Sequence, residues 1–251
     1  MLRLGILLLP LLYSVHLMAH EPPELIWCLD DHWHTPAHEH KPENKTALFM
    51  QTIAERLAIT IRPTPLTPFS RCLRKMELGQ ADLMVSLNYS VDRERFLHLI
   101  PYDEAQPESL YLLRTADDIA SWDDIKQRNI VVLHDYGYSP ELQQMLSKDS
   151  FRLIQAASLE DAFAMLLLQE ADVVIGPAQS AVNVIHNNPR LHDQFKQASY
   201  QFNFRQARTI NLAFSRASSH QEILPKLQQL IQQMIENDEI KHFRPQSKTL
   251  D

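Results

Sequence analysis

Along the chain, short apolar runs alternate with longer stretches whose apolar residues recur every three or four positions, the strand–helix alternation of α/β architecture. Leu25–Leu29 reads as a strand, and Thr46–Leu57 as an amphipathic helix with Leu48, Phe49, Ile53 and Leu57 on one face. Ile59–Arg62 is the next strand. A loop with Pro63, Pro65 and Pro68 then leads to a Phe69–Leu78 helix that stops at Gly79, before a buried strand over Ala81–Leu87. Leu110–Leu113 is another strand, and beyond it the pattern starts afresh. Trp122–Ile125 begins a short helix, Ile130–Leu133 is a strand, and Gly137-Tyr138-Ser139-Pro140-Glu141 is a helix start with proline in the first turn. Phe151–Ile154 is a strand, and Ser158 caps a helix through Gln169, paired with Asp161 three residues on. Val173–Ile175 ends this half in Gly176-Pro177.

The halves share one device. Ala81-Asp82-Leu83-Met84-Val85 in the first matches Ala171-Asp172-Val173-Val174-Ile175 in the second: an Ala-Asp pair, an apolar strand, then a polar or turn-forming rim. Two similar α/β lobes facing across a cleft follow. Ile210–Phe214 returns the chain to the first lobe, where the last helix, Ile223–Ile235, packs through Leu224, Leu227, Leu230, Ile231 and Met234. The expected division is residues 1–19 as a leader, 20–112 with 210–251 as lobe 1 and 113–209 as lobe 2. Hinges are expected at crossing strands near Leu112 and Ala213.

The most chemical stretch is Gly79–Arg95. Its strand ends in small polar residues, Ser86 and Asn88, and Ser90 suits the cap of a helix whose first turn carries Asp92 and Arg93. In open α/β sheets ligands bind at the carboxyl rim, and a guanidinium fork there suits a carboxylate. The alternative is that Arg93 and Arg95 are solvated partners of Asp92 and Glu94.

The first nineteen residues run from one cation, Arg3, through an apolar core to Ala19, the layout of a cleaved secretory signal peptide. Its removal moves the formal charge from −7 to −8, an acidic balance that argues against nucleic acid as a partner. Secretion places the only cysteines, Cys28 and Cys72, where disulfides persist, and pairing is expected; two separate buried thiols are the alternative.

In order and spacing these motifs resemble the family 3 extracellular solute-binding proteins, the amino-acid-type periplasmic receptors of bacterial ABC importers. The family's Gly-x-x-Asp and Thr-x-x-Arg segments read here Gly79-Gln80-Ala81-Asp82 and Ser90-Val91-Asp92-Arg93, followed by a Phe96–Tyr102 stretch like the family's aromatic-to-Pro-Tyr run. Trp122-Asp123-Asp124-Ile125, Tyr136-Gly137-Tyr138-Ser139 and the Ala171-Asp172 strand resemble second-lobe segments, so the likeness spans about residues 24 to 238. It implies a periplasmic-binding-protein type II fold, with two lobes joined by two crossing hinge strands. It also implies a monomeric, non-enzymatic periplasmic receptor without cofactor. The implied partners are a small carboxylate-bearing solute and the membrane subunits of an ABC importer.

By the resemblance Arg93 binds the ligand carboxylate, with Ser86 and Asn88 beside it. Gly137, Tyr138 and Ser139 bring helix-start N–H groups to the same anion, and Trp33 packs on the ligand or against the lobe. One departure is visible: the family's acid for the ligand's ammonium is replaced by Gly176-Pro177, leaving Asp135, Glu141 and Asp103 as the acids that would compensate. Three other functions compete. Asp30–His40 holds His32, His34, His38 and His40 with three acids, a metal-binding composition without regular ligand spacing. An enzyme on the same scaffold, dehydratase-like, would need positioned acid–base groups that no spacing here displays. A sensor input domain would need a membrane span and an output domain.

Overall fold

The computed structural model describes residues 22–30, 45–148, 151–204 and 208–244. The leader, Trp33 and the four clustered histidines lie outside the described residues.

Two five-stranded sheets carry the fold. The first sheet is built from β1 (Glu24–Trp27), β2 (Thr60–Pro63), β3 (Leu83–Asn88), β4 (Leu97–Glu104) and a late strand, Thr209–Ser215. The second takes β5 (Glu108–Leu113), β6 (Asn129–Leu133), β7 (Arg152–Ala156), β8 (Val173–Pro177) and β9 (Phe195–Gln197); the late strand of the first sheet is β10. Their orders, β2-β1-β3-β10-β4 and β7-β6-β8-β5-β9, are equivalent: four strands run the same way and the fourth in order, β10 or β5, runs against them.

Helices cover both faces. In the first lobe α1 (Lys45–Leu57) and α7 (Leu224–Glu236) bury Phe49, Met50, Ile53, Leu227, Leu230, Ile231 and Met234 against Leu25, Trp27, Leu83 and Val85. On the opposite face α2 (Phe69–Glu77) packs Phe69, Cys72 and Met76 against Met84, Leu87 and Ala213. There the Cys28–Cys72 disulfide ties β1 to α2 across a sequence separation of 44. A one-turn α3 (Val91–Glu94) follows β3, with Ser90 at its N-cap making no side-chain cap bond. In the second lobe α5 (Leu159–Leu167) and α6 (Ala178–Asn187) cover one face and α4 (Pro140–Lys148) the other. Ser158 caps α5 as its spacing predicts, its Oγ accepting from Asp161 N at 3.1 Å.

The repeated aspartates are struts. Asp82 accepts the Ile26 N–H at 2.7 Å and donates its own N–H to Ile26 O, clamping β3 to β1. Asp172 does the same between β8 and β6, accepting Asn129 N–H at 2.7 Å and donating to Asn129 O. Asp82 also accepts the buried Ser218 hydroxyl at 2.5 Å. Asp82→Ala is therefore expected to lower stability by about 1–3 kcal/mol, the range for leaving buried donors unpaired. A denaturant titration measures it, and an unchanged midpoint would contradict the strut assignment.

Gly79 ends α2 in a Schellman turn: its N–H bonds Met76 O, and Gln80 N–H bonds Lys75 O. Its φ of +66° is the left-handed conformation, and a Cβ there would meet the Ala217 carbonyl oxygen at 2.4 Å.

The lobe boundary needs correction. The strand carrying Leu112 pairs with β8 and β9, so it belongs wholly to the second sheet, and Ala213 sits mid-strand in the first sheet opposite Met84 and Leu99. Neither is a crossing point. The chain leaves the first sheet after Glu104 and enters the second at Glu108, and it returns between Gln197 and Thr209. Ala105 N–H bonds Arg208 O at 2.7 Å, so the two crossings lie side by side. The apolar pattern marked Leu110–Leu113 as a strand but carried nothing about its sheet, because a buried strand reads alike in either sheet. β4, β9 and α6 are among the elements the pattern did not announce. In β4 Pro101 interrupts the run, and α6 opens directly on Pro177, whose own side chain offers no cap.

Candidate functional site

Between the lobes lies a cavity of about 380 Å³. The carboxyl ends of β3, β6 and β8 reach it through Asn88, Leu133 and Pro177, the rim at which α/β sheets bind ligands. Its walls are largely apolar and aromatic, including Phe49, Phe69, Tyr102, Tyr136 and Phe243, with Ser86, Asn88, Arg93 and Asp103 among the polar groups.

Arg93 is not a solvated surface residue: it is 6% exposed. Its Nη1 donates to Asn88 O at 3.0 Å, its Nη2 donates to Asp135 O at 2.6 Å across the cleft, and its guanidinium carbon lies 5.2 Å from the centroid of the Phe69 ring. Burial lowers its pKa, opposed by the charges of Asp135 and Asp30. Asp135 takes φ +58° to present that carbonyl, a conformation aspartate tolerates better than most residues.

Ser86 has φ +62° inside β3, where the register with β10 shifts between Asn211 and Ala213. This bulge breaks the strand's alternation, so Leu83 and Val85 face one side while Met84 and Leu87 face the other. The Ser86 hydroxyl pairs with the Tyr102 hydroxyl at 2.8 Å. Burial pushes the Tyr102 phenol up to about 12, partly offset by that bond, and burial together with the Glu108 charge does the same to Tyr136. Both stay neutral at physiological pH.

Asn88 reaches across the cleft, its amide donating to Gly137 O at 2.9 Å. Gly137 permits this approach: a Cβ there would meet Asn88 Cβ at 3.1 Å and Arg93 Nη1 at 3.4 Å. The structure thus brings Ser86, Asn88, Arg93 and Gly137 together at the cavity.

Tyr138 and Ser139 are placed elsewhere. The Tyr138 hydroxyl accepts from Leu133 N and donates to Ile175 O, holding β6, β8 and the α4 start together inside the lobe. Ser139 is fully buried; its N–H donates to Glu108 Oε1 at 3.0 Å and its Oγ caps α4 by accepting from Leu142 N at 3.3 Å. A carboxylate of the chain itself thus sits at the helix start that the resemblance reserves for a ligand's anion. Arg208 completes that arrangement, with Nη2 at 2.7 Å from Glu108 Oε1 and Nη1 donating to Gly137 O at 3.1 Å. Among the described residues Glu108 Oε2 has no hydrogen-bond partner. The α6 start is capped likewise, Gln179 N–H donating to Gln106 Oε1 at 3.1 Å.

Sequence reasoning missed Glu108, Arg208 and Gln106. The available signal was an acid at the mouth of an apolar strand, Pro107-Glu108-Ser109-Leu110, since a charge entering a core requires a partner. Of the three acids that would compensate for Pro177, only Asp103 lines the cavity; the Asp135 carboxylate pairs with His134 at 2.8 Å, and Glu141 is a half-buried first-turn residue of α4 outside the cavity lining. Among the described residues no cluster of three metal-ligating side chains occurs, and no helix is long and apolar enough to cross a membrane.

Two α/β lobes of equivalent topology, joined by two adjacent crossings and enclosing a cavity at their facing strand ends, define the periplasmic-binding-protein type II fold. Solved structures carry the same fold at low identity. An ancestral arginine-binding protein bound to arginine superposes with a TM-score of 0.70 at 17% identity, covering 89% of this chain and 97% of that one. An arginine transport periplasmic binding protein from Legionella pneumophila gives 0.69 at 16%, covering 88% and 97%. A histidine kinase sensor domain with similarity to periplasmic binding proteins gives 0.68 at 16%, covering 90% and 95%. No protein-family model and no curated protein matches the sequence.

Proposed function

We propose that the chain is a periplasmic receptor that closes its lobes on a small, carboxylate-bearing, amino-acid-like solute and hands it to an ABC importer. The observation that carries this reading is the buried Arg93 guanidinium in the wall of an inter-lobe cavity of about 380 Å³. Its partners there are carbonyl dipoles, which a carboxylate surpasses as a mate for a desolvated guanidinium. The solved neighbours, one bound to arginine and one from an arginine transport system, share the fold and so support a solute-binding role.

Closure is the transducing step, since it changes the surface offered to a membrane partner. The mature protein, titrated with amino acids, small carboxylates and amines lacking a carboxylate, is expected to show thermal stabilisation by the carboxylates. The gain reaches about 2.7 kcal/mol at a free ligand concentration of one hundred times Kd. A response to none of them, or to the amines alone, would overturn the reading.

The sensor-domain neighbour favours a second reading, the same capture coupled to a signalling partner. The two separate in cells: loss of the protein abolishes uptake of the identified solute in the first and leaves uptake intact in the second.

A further inference from the structure

Asp103 lies one residue before the end of β4, beside the cavity, and its carboxylate is already occupied by a cation. Arg244, just past the short 3₁₀ helix Ile240–Phe243, donates Nε to Asp103 Oδ2 at 2.7 Å and Nη2 to Oδ1 at 2.5 Å. Oδ1 also accepts the Glu104 N–H at 2.9 Å, which fixes the carboxylate's orientation. Phe243 lies 5.3 Å from Phe49, centroid to centroid, so this segment forms one wall of the same cavity.

The two partners differ in exposure. The Asp103 side chain is 10% exposed and the Arg244 side chain 59%. The acid is a fixed part of the wall, whereas its cation rides on a long, half-exposed side chain. Pairs with so exposed a partner contribute little, because water competes for the charges and two side chains must be ordered. Displacing Arg244 is therefore cheap, and a cation that arrives inside the cavity meets a preoriented carboxylate away from bulk water.

We propose that Asp103 is a cation seat of the solute site, in which the Arg244 guanidinium stands in for an ammonium or guanidinium group of the bound solute. With Arg93 for the carboxylate, the cavity then takes a zwitterionic solute, and Asp103 supplies from the first lobe the charge that Pro177 cannot supply from the second. This deepens the receptor reading and rests on it for the location of the site.

The test uses n-propylguanidinium, a cation without a carboxylate, so that its outcome does not depend on Arg93. Calorimetric titration is expected to show Arg244→Gln binding this probe about two- to fivefold more tightly than the unsubstituted protein, the range set by relieving a pair with so exposed a partner, with the gain lost in Arg244→Gln/Asp103→Asn. Circular dichroism melts confirm that each variant is folded. Equal affinity of Arg244→Gln and the unsubstituted protein, or a gain that survives Asp103→Asn, would overturn the proposal. A carboxylate that stabilises Arg244→Gln and the unsubstituted protein alike, with no gain for propylguanidinium, would remove the cation seat and leave the receptor reading standing.

Discussion

Arg93→Ala is expected to weaken binding of the best carboxylate found by titration by about 2–5 kcal/mol, the range for truncating one partner of a buried, hydrogen-bonded charge pair. That is roughly thirtyfold or more in Kd. Two effects combine. The guanidinium fork that would meet the carboxylate is lost, and so is the Arg93–Asp135 bond joining β3's rim to the second lobe. Arg93→Lys keeps the charge without the fork and should fall between the two, since an ammonium cannot donate in the same planar pair. Calorimetry on the three proteins measures the series. Equal affinity in all three would mean that Arg93 is a structural bridge between lobes and the solute is held elsewhere.

The second large effect is on stability. The Glu108 side chain is fully buried, and Arg208 is the cation beside it. Arg208→Ala leaves that carboxylate without its cation and is expected to destabilise the fold by about 3–5 kcal/mol, the usual result of breaking one half of a buried ion pair. Much of this should return in Glu108→Gln/Arg208→Met, which removes the stranded charge. A double-mutant cycle in urea supplies the coupling energy. A loss below about 1 kcal/mol for Arg208→Ala would show that Glu108 is served by other groups and that the pair is incidental.

Much of the fold was legible because the two lobes obey local rules. Apolar runs bounded by turn residues marked most of the strands, and the Ala-Asp repeat marked the equivalent strands β3 and β8. The repeat also had a physical cause that no periodicity states: each aspartate pins its strand to a parallel neighbour. Sheet membership of β5 was not legible, since a strand is equally buried in either sheet.

The site was legible in part. Arg93, Ser86 and Asn88 follow a strand into a turn, a pattern that local chemistry makes visible, and they line the cavity. Tyr138 and Ser139 follow an equally suggestive pattern, a helix start, but its donors are taken by Glu108 and Tyr136. Which acceptor fills a helix start is decided by residues distant in sequence, here one thirty-one positions away. The same holds for Arg244 and Asp103, which meet only because the last helical segments fold back over α1.

The side-chain caps from the crossing segment set an order of events for capture. Gln106 and Glu108 are bonded to the starts of α6 and α4, so in the receptor reading this part of the crossing would travel with the second lobe on opening of the cleft. The N–H groups of Gln179 and Ser139 are occupied by these side chains, which leaves no vacancy for an anion at either. The guanidinium it can engage projects from the first lobe. In the receptor reading the solute therefore lands on the first lobe, and the second arrives afterwards as a cover whose contribution is carbonyl dipoles, apolar surface and the exclusion of water.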